Sequence, residues 1–314
     1  MRVVVPLSAD SARPQPAAQP APKLDLNQSK AFKDKALRSL GELPPFSPIL
    51  NRLLASLANE EVDFAKLGDL IEKDTVVAGN VLHLVNSALY GRSGTINSVR
   101  HAVSLLGISK LRNAVLGMSI SRMWNRVRPP ASWSMARFNL HSAAAAMLSD
   151  MLAQALPVAY PEGAFVAGLL HDVGRLLIAM GLPEEHSKIL AAAAKGEASH
   201  LECEIATLGF GHPELSAQAL AFWNLPEPIC VAVRDHHVPI AADSGRNSNQ
   251  IPLAHVVRVA SEYVNTMGAW IVAPKEPVMA DPTLLEPLGL TPDRIQKLLT
   301  DFKTEHDSMV PFFR

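Results

Sequence analysis

The stretch Ala167-Gly-Leu-Leu-His-Asp-Val-Gly-Arg-Leu-Leu-Ile-Ala-Met180 sets an adjacent histidine and aspartate, His171 and Asp172, inside an otherwise apolar run. The run predicts a helix over residues 162–180. Groups that water solvates well are costly to bury alone, so hydrogen bonds, an ion pair or a metal ion must compensate. The chain supplies further histidines at wide intervals on either side: His141, His212, His236 and His237.

Length and composition indicate a globular protein. At 314 residues the chain can form one large domain or two of ordinary size. Its net charge of −1 excludes a general binder of polyanions. Residues 75–149, however, contain eight Lys or Arg and no Asp or Glu. These side chains either point in several directions from different helices or form a basic face for a phosphate or an acidic partner: Arg92, Arg100, Lys110, Arg112, Arg122, Arg126, Arg128 and Arg137.

Cysteine usage and apolar runs bear on the location of the protein. Cys203 and Cys230 do not form a Cys-x-x-Cys motif and are typical of a reducing compartment. No apolar run approaches the roughly 20 residues that span a bilayer. The apolar run at the N-terminus is too short for a signal peptide. We therefore expect a cytoplasmic protein without membrane association.

Along the chain, turn and cap signals divide a helical pattern. Residues 1–28 are rich in Pro, Ala, Gln and Ser, which predicts a disordered tail. From residue 49 onward nearly every segment has the apolar spacing of helices of 8–20 residues, and none shows strand alternation. Ser98 and Ser109 are predicted N-caps of successive helices, the second running towards Trp124. The sequence therefore predicts an all-α fold.

The histidines and Asp172 could form either of two kinds of site. Imidazole nitrogens and a carboxylate suit zinc, iron or manganese, and ligands from several helices can converge inside a bundle. On one helix His171 and Asp172 would point about 100° apart, so further ligands must come from neighbouring helices. The same side chains could instead form a buried hydrogen-bonded network that fixes helix packing without an ion. The residues alone leave both interpretations open.

The order of these residues resembles the HD superfamily of metal-dependent phosphohydrolases and, more narrowly, the HDOD family, the HD-related output domains of bacterial signalling. The resemblance covers roughly residues 38–265. It rests on eight stretches in the family's order: 43–48, 71–74, 85–91, 96–107, 169–175, 211–212, 223–227 and 236–237. It implies a two-lobed domain with a helical lobe at about 38–128 and an HD-like lobe at about 131–265. Residues 266–314 would then form a C-terminal helical extension.

The resemblance also implies roles for individual residues. His141, His171 and Asp172 would be the ligands of a first metal. Arg175 stands where catalytic relatives often carry a phosphate-binding lysine, and an arginine can bind phosphate with two prongs. Asp172 and Arg175 would be the catalytic pair in an enzyme. A second metal or a phosphate would be contacted by the three remaining histidines, His212, His236 and His237.

One departure from the family weakens the catalytic interpretation. The distant aspartate of the metal-binding relatives falls at about Ser261, whose hydroxyl is a poor ligand beside a carboxylate. The neighbouring Glu262 faces another direction on a helix. The Gly-Tyr-Pro motif of the cyclic-di-GMP phosphodiesterase branch is also missing after His237. The departure favours a cluster that is free of metal or binds it weakly.

The leading functional hypothesis is therefore a signalling output or adaptor protein. It would bind a signalling partner or a small nucleotide or phosphate ligand without turning over substrate. The basic stretch 92–137, with Arg112 and Arg122, is the predicted contact surface for a partner. The alternative is a phosphohydrolase dependent on iron, manganese or zinc and acting on a nucleotide or another phosphoester.

A helix-turn-helix pattern over residues 101–116 raises the question of DNA binding. It offers a helix, a turn at Gly107 and a basic second helix. Asn113, however, stands where the motif usually needs an apolar residue to pack the two helices. The HDOD resemblance accounts for the same residues, so we do not expect sequence-specific DNA binding.

Overall fold

The computed structural model describes residues 25–57, 68–69, 71–86, 96–239, 250–273 and 279–313. Within these ranges the regular structure is helical, and the β-contact found is an isolated bridge between Val158 and Ile251. The predicted all-α fold is confirmed. The buried apolar side chains form one large core and a smaller one.

Five helices with both ends inside the described residues precede residue 130. They are α1 (Leu26–Arg38), α2 (Pro48–Ala55), α3 (Thr75–Val85), α4 (Val99–Leu106) and α5 (Ile108–Trp124), with a 3-10 turn at Ser39–Glu42. Residues 1–24 of the predicted tail, which covers residues 1–28, lie outside the described residues. Its last three residues are helical, because Asp25 caps α1 by accepting a hydrogen bond from the Asn27 backbone N–H at 3.2 Å.

Nine more helices complete the described chain. They are α6 (Met135–Ala155), α7 (Ala164–Leu170), α8 (Val173–Gly181), α9 (Pro183–Ala193), α10 (His200–Leu208), α11 (His212–Phe222), α12 (Glu227–Asp235), α13 (Leu253–Thr266) and α14 (Pro292–Met309). Short 3-10 turns lie at Pro161–Gly163, Pro282–Leu288 and Val310–Phe312.

Cap residues decide several helix starts. Ser98 caps α4 as predicted, and Ser134 caps α6 by accepting a hydrogen bond from the Arg137 backbone N–H at 3.3 Å. The prediction that Ser109 caps the following helix is wrong, because α5 begins at Ile108 and its N-cap is Gly107. Gly107 has φ of 76°, a left-handed backbone that glycine adopts easily, so one residue both ends α4 and starts α5.

The centre of the second half is the pair α6 and α7. Helix α6 also packs against α13, and α8 packs against α11. Gly168 allows the close approach, since a Cβ there would lie 2.7 Å from the Ala145 backbone oxygen. The small residues of α6 and α7 thus bring His141, on α6, within reach of the chain that follows α7.

The two ends of the described chain lie against this core. Helix α1 packs on α8 and α11, where the Lys33 ammonium lies 2.6 Å from a Glu214 carboxylate oxygen. At the other end Phe313 is 1% exposed and its ring covers Gly117 of α5. Segments on both sides of the predicted domain therefore contribute to its packing.

One stretch, Pro161–Gly181, is long and apolar enough to cross a membrane by length and composition. Its most apolar window is 89% buried inside the protein. It also contains the 3-10 turn, α7 and α8 rather than one uninterrupted helix. This burial is that of core helices.

Candidate functional site

The predicted helix over 162–180 is interrupted at the histidine–aspartate pair. Helix α7 ends at Leu170, His171 is its C-cap, and Asp172 is the N-cap of α8 with φ of −103° and ψ of 10°. The backbone of Asp172 thus leaves the helical region, and the two side chains need not point 100° apart. His171 Nε2 lies 3.5 Å from Asp172 Oδ2. The prediction of a continuous helix is wrong, and the break brings these two groups onto the same side.

A first group of side chains forms around the Oδ2 atom of Asp172. His141 Nε2 lies 3.6 Å from this oxygen and 3.2 Å from His171 Nε2. The Ser261 hydroxyl lies 3.1 Å from His171 Nε2 and 3.4 Å from His141 Nε2. All four side chains are buried. Ser261, which the family resemblance places at the position of a carboxylate ligand, thus contributes a neutral oxygen to this group.

A second group forms around the other carboxylate oxygen. His212 Nε2, at the first residue of α11, lies 3.0 Å from Asp172 Oδ1. His236 Nε2, just after α12, lies 3.9 Å from the same oxygen, and His237 Nε2 lies 3.2 Å from His212 Nε2. His237 is exposed, whereas His212 and His236 are buried. Asp172 therefore bridges two groups of histidines.

Backbone carbonyls determine how the buried imidazoles are oriented. The Nδ1 atom of His141 lies 2.8 Å from the Ala269 carbonyl oxygen, and that of His171 lies 2.8 Å from the Gly168 oxygen. His236 makes the same contact with the Val233 oxygen at 2.6 Å. A carbonyl only accepts, so these contacts assign the ring proton to Nδ1. The Nε2 lone pairs of all three rings consequently face the site, the arrangement typical of metal-ligating histidines.

Burial keeps these three rings neutral. It lowers the pKa of His141 to about 4, with the His171 ring adding to the effect. Burial also lowers the pKa of His171, and it holds the pKa of His236 well below its ordinary value. A neutral imidazole is the form that binds a metal ion. The first group therefore offers neutral nitrogens over the pH range near neutrality.

Asp172 and His212 are charged in this protein. Burial alone would raise the pKa of Asp172, but the neighbouring cations Arg175 and His212 outweigh it and hold that pKa well below its usual value. Burial likewise acts to lower the pKa of His212, but the carboxylates of Glu204 and Asp172 outweigh it and raise that pKa to about 9. The aspartate is an anion, and without a metal His212 is its counter-cation.

The donor set fits a divalent metal ion. His236 Nε2 is buried and has no hydrogen-bond partner within the described parts of the chain. In the first group, the one hydroxyl proton of Ser261 can reach only one of two facing Nε2 lone pairs at a time. A cation would satisfy these orphaned acceptors. Imidazole and carboxylate ligands suit iron, manganese or zinc, and the donors do not distinguish among them.

A cavity of about 1010 Å³ opens beside the second group. Its wall includes His212, His237 and Arg175, and Arg137 from the start of α6. Arg175 Nη1 also lies 3.2 Å from Asp172 Oδ2. Other parts of the wall are apolar, and Trp270 lines it as well. The cavity thus combines cations next to the buried cluster with surface that could hold the rest of a small molecule.

Glu204 was not predicted from the sequence to belong to the site. This residue of α10 is 1% exposed, and its Oε2 atom lies 2.7 Å from His212 Nδ1. His200, one turn earlier, lies 3.3 Å from its other oxygen. The sequence signal was an acidic residue spaced i, i+4 from a histidine and shortly before His212. That signal is weak, because such pairs are usual on solvated helix faces.

The basic stretch 92–137 is partly neutralised by acidic residues elsewhere. Arg100 lies 3.1 Å from Asp69, and Arg122 lies 3.7 Å from Asp74. Lys110 pairs with a glutamate of α14 at 3.6 Å. Arg112 is partly buried, and burial lowers the pKa of Arg112. Arg92 lies outside the described residues. Arg126, Arg128 and Arg137 are exposed and form no ion pair with the described residues.

The helix-turn-helix pattern has a structural explanation. Asn113 is buried, at 5% exposure. Much of α5 is also covered, including Leu111, Val115 and Leu116. A recognition helix must be free to enter the DNA groove. Helix α5 is instead a core helix of this fold.

Comparisons with known proteins agree with the helical fold. The family described as the HDOD domain matches residues 43–239. An uncharacterised protein of Treponema pallidum (strain Nichols) is 23% identical over 63% of this chain, a match that takes in 38% of the Treponema protein.

Solved structures share the fold. An HDOD domain protein of unknown function from Geobacter sulfurreducens has a TM-score of 0.69 at 23% identity, covering 90% of this chain and 97% of its own. A proposed phosphohydrolase from Shewanella amazonensis SB2B has a TM-score of 0.66 at 23% identity, covering 89% of this chain and 98% of its own. A proposed signal transduction protein from Marinobacter aquaeolei VT8 has a TM-score of 0.65 at 20% identity, covering 93% of this chain and 67% of its own. At these identities the likeness establishes the fold.

Proposed function

Because this chain belongs to the HDOD domain family, we propose that it is a cytoplasmic module of bacterial signal transduction. Its cavity would bind a phosphate-bearing small ligand beside a divalent metal held by the histidine cluster. The observation that carries the proposal is the cavity of about 1010 Å³ whose wall contains Arg175, His212 and His237. A signalling protein partner would then read the occupied state from the surface.

The chemistry of the wall supports a phosphate group. Arg137 and Arg175 reach the cavity from α6 and α8. A guanidinium binds a phosphate with two parallel hydrogen bonds, and charge-assisted bonds of this kind are the stronger ones. Apolar wall residues and Trp270 would contact the remainder of the ligand, as a nucleoside moiety requires.

The metal would be held by His141, His171 and Asp172. When bound, a divalent metal supplies a Lewis acid that polarises a phosphoryl oxygen and lowers the pKa of water. The residues of this chain then orient the ligand. Ser261 contributes a neutral hydroxyl where a carboxylate would add charge, which favours ligand binding over turnover.

Calorimetric titration with AMP, GMP and inorganic phosphate tests the proposal, with the unphosphorylated nucleosides as a comparison. Arg137→Gln and Arg175→Gln should each weaken binding about tenfold or more, since a hydrogen bond to a charged group contributes about 1.5–3 kcal/mol. Arg126→Gln, an exposed arginine that does not line the cavity, is the matched control. Equal affinity for nucleoside and nucleotide, or for the Arg variants and the control, would contradict the proposal.

A phosphohydrolase is the second candidate function. It is favoured by the first group, where two imidazoles and one carboxylate would leave coordination positions for water and substrate. Release of phosphate from a panel of phosphoesters with Mn²⁺ tests it. Turnover that disappears in Asp172→Asn would establish the enzyme, whereas binding without turnover supports the module.

A further inference from the structure

A buried carboxylate lies behind His212, on the side away from Asp172. Glu204 is 1% exposed, and glutamate is almost never buried to that degree without partners. Its helix, α10, begins at a complete capping box formed by Ser199 and Glu202. The start of α10 is therefore well defined, and its second turn points Glu204 at the beginning of α11.

One oxygen of Glu204 holds both the backbone and the ring of His212. Oε2 accepts a hydrogen bond from the His212 backbone N–H at 2.8 Å and lies 2.7 Å from the Nδ1 atom of the ring. The other oxygen, Oε1, lies 3.3 Å from His200 Nε2. Both oxygens of the carboxylate thus have polar partners, and two of the three contacts hold His212.

The sequence around α11 explains why the carboxylate is needed. The N–H groups in the first turn of a helix lack partners inside the helix and are usually satisfied by the N-cap side chain. The N-cap of α11 is Gly211, which has no side chain. A Cβ at this position would collide with Leu201 Cδ1, so a larger capping residue would require that side chain to move. Glu204 supplies the missing cap from α10, and its negative charge suits a helix N-terminus.

We propose that Glu204 is a positioning residue of the histidine cluster, which fixes the His212 ring so that Nε2 faces Asp172. The Nδ1 contact of 2.7 Å and the Nε2 contact of 3.0 Å to Asp172 lie on opposite sides of one imidazole. Rotation of the ring would break both. The expected effect on metal affinity rests on the proposed function, whereas the orientation of the ring does not. Partners of this kind typically change metal affinity 10–100-fold, an order-of-magnitude expectation.

Two conservative variants separate position from charge. Glu204→Gln keeps the length of the side chain and an acceptor oxygen but loses the charge. Glu204→Asp keeps the charge but is shorter by one carbon–carbon bond, about 1.5 Å, and cannot hold both His212 contacts. Glu227→Gln is the matched control, because Glu227 is an exposed acid in the first turn of α12.

Binding of Mn²⁺ to the chelator-treated full chain, followed by electron paramagnetic resonance of the free ion, gives the first readout. Glu204→Asp should raise the Kd at least about tenfold, while Glu204→Gln stays within about threefold and Glu227→Gln is unchanged. The proposal would be overturned if Glu204→Gln lost as much affinity for Mn²⁺ as Glu204→Asp, or if neither variant lost affinity. A role in stability alone would lower the melting temperature without changing the Kd of the folded protein.

Proton NMR of the metal-free protein gives a readout that does not depend on the metal. The hydrogen-bonded Nδ1 proton of His212 should resonate far downfield, and its assignment is checked by its loss in His212→Gln. The signal should persist in Glu204→Gln and disappear in Glu204→Asp. If the wild type binds no Mn²⁺, the proposed metal site fails, and this signal decides the role of Glu204. Its persistence in Glu204→Asp would overturn that role.

Discussion

Replacing Ser261 with aspartate should make the stability of this protein depend on a divalent metal. Ser261 and Asp172 each lie within 3.5 Å of the His171 Nε2 atom. Two carboxylates there would therefore stand about 7 Å apart or less, and at an effective dielectric constant of about 20 they repel by about 2 kcal/mol. Without metal, the Ser261→Asp variant should lose at least this much of its free energy of unfolding.

A divalent metal should reverse the loss, because the added carboxylate becomes a ligand beside His141 and His171. Binding at one hundred times the Kd contributes about 2.7 kcal/mol, which offsets the repulsion. Differential scanning calorimetry with a chelator should show a melting temperature about 4 °C below that of the wild type. With excess Mn²⁺ the variant should melt at or above the wild-type temperature.

Ser261→Asn is the control for size, because asparagine has the shape of aspartate without its charge. It should show neither the repulsion nor the recovery with metal. If Ser261→Asp is destabilised equally in chelator and in Mn²⁺, Ser261 does not stand at a ligand position and the assignment of the first group is refuted.

Other positions yield independent predictions. Asp172→Ala removes the anion shared by two groups of histidines and should cost about 3–5 kcal/mol in urea unfolding, whereas a loss below about 1 kcal/mol would contradict that role. Gly174→Ala places a Cβ against the backbone of α11 and should lower the free energy of unfolding by about 2 kcal/mol or more. Gly79→Ala, in open space on α3, should be neutral or stabilising. Equal urea midpoints for the two variants would refute the packing argument. Burial lowers the pKa of His186 to about 4, so the unfolded chain, with a pKa of about 6.5, takes up a proton before the folded one does. Stability should therefore fall as the pH drops from about 6.5 to about 4, and His186→Gln should flatten that fall in urea midpoints measured against pH.

The helices could be predicted from local signals, since apolar spacing and serine caps act within a few residues. Ser98 starts the helix that it was expected to start. The break at His171 could not be predicted in this way. All seven residues of α7 are buried, so apolar residues continue through the break without a change of pattern. The break depends on partners from other helices, which meet the two side chains only in the folded chain.

The candidate site likewise contains residues that could be predicted from the sequence and one that depends on tertiary contacts. The histidines could be chosen from the sequence because they stand around the His171-Asp172 pair in the order of the HDOD family. Glu204 could not, because it stands in a helix with a second glutamate, Glu202, and its role depends on how α10 meets α11. The neutralisation of Arg100 and Arg122 by distant acids likewise depends on tertiary contacts.

The proposed function includes the claim that the histidine cluster binds a divalent metal. Elemental mass spectrometry of the protein, purified without chelator or affinity tag, tests it most directly, with Asp172→Ala purified in parallel. We expect about one or two equivalents of iron, manganese or zinc per wild-type chain and much less in the variant. A well-folded wild-type protein without metal would contradict the claim and leave the histidines as a hydrogen-bonded packing network.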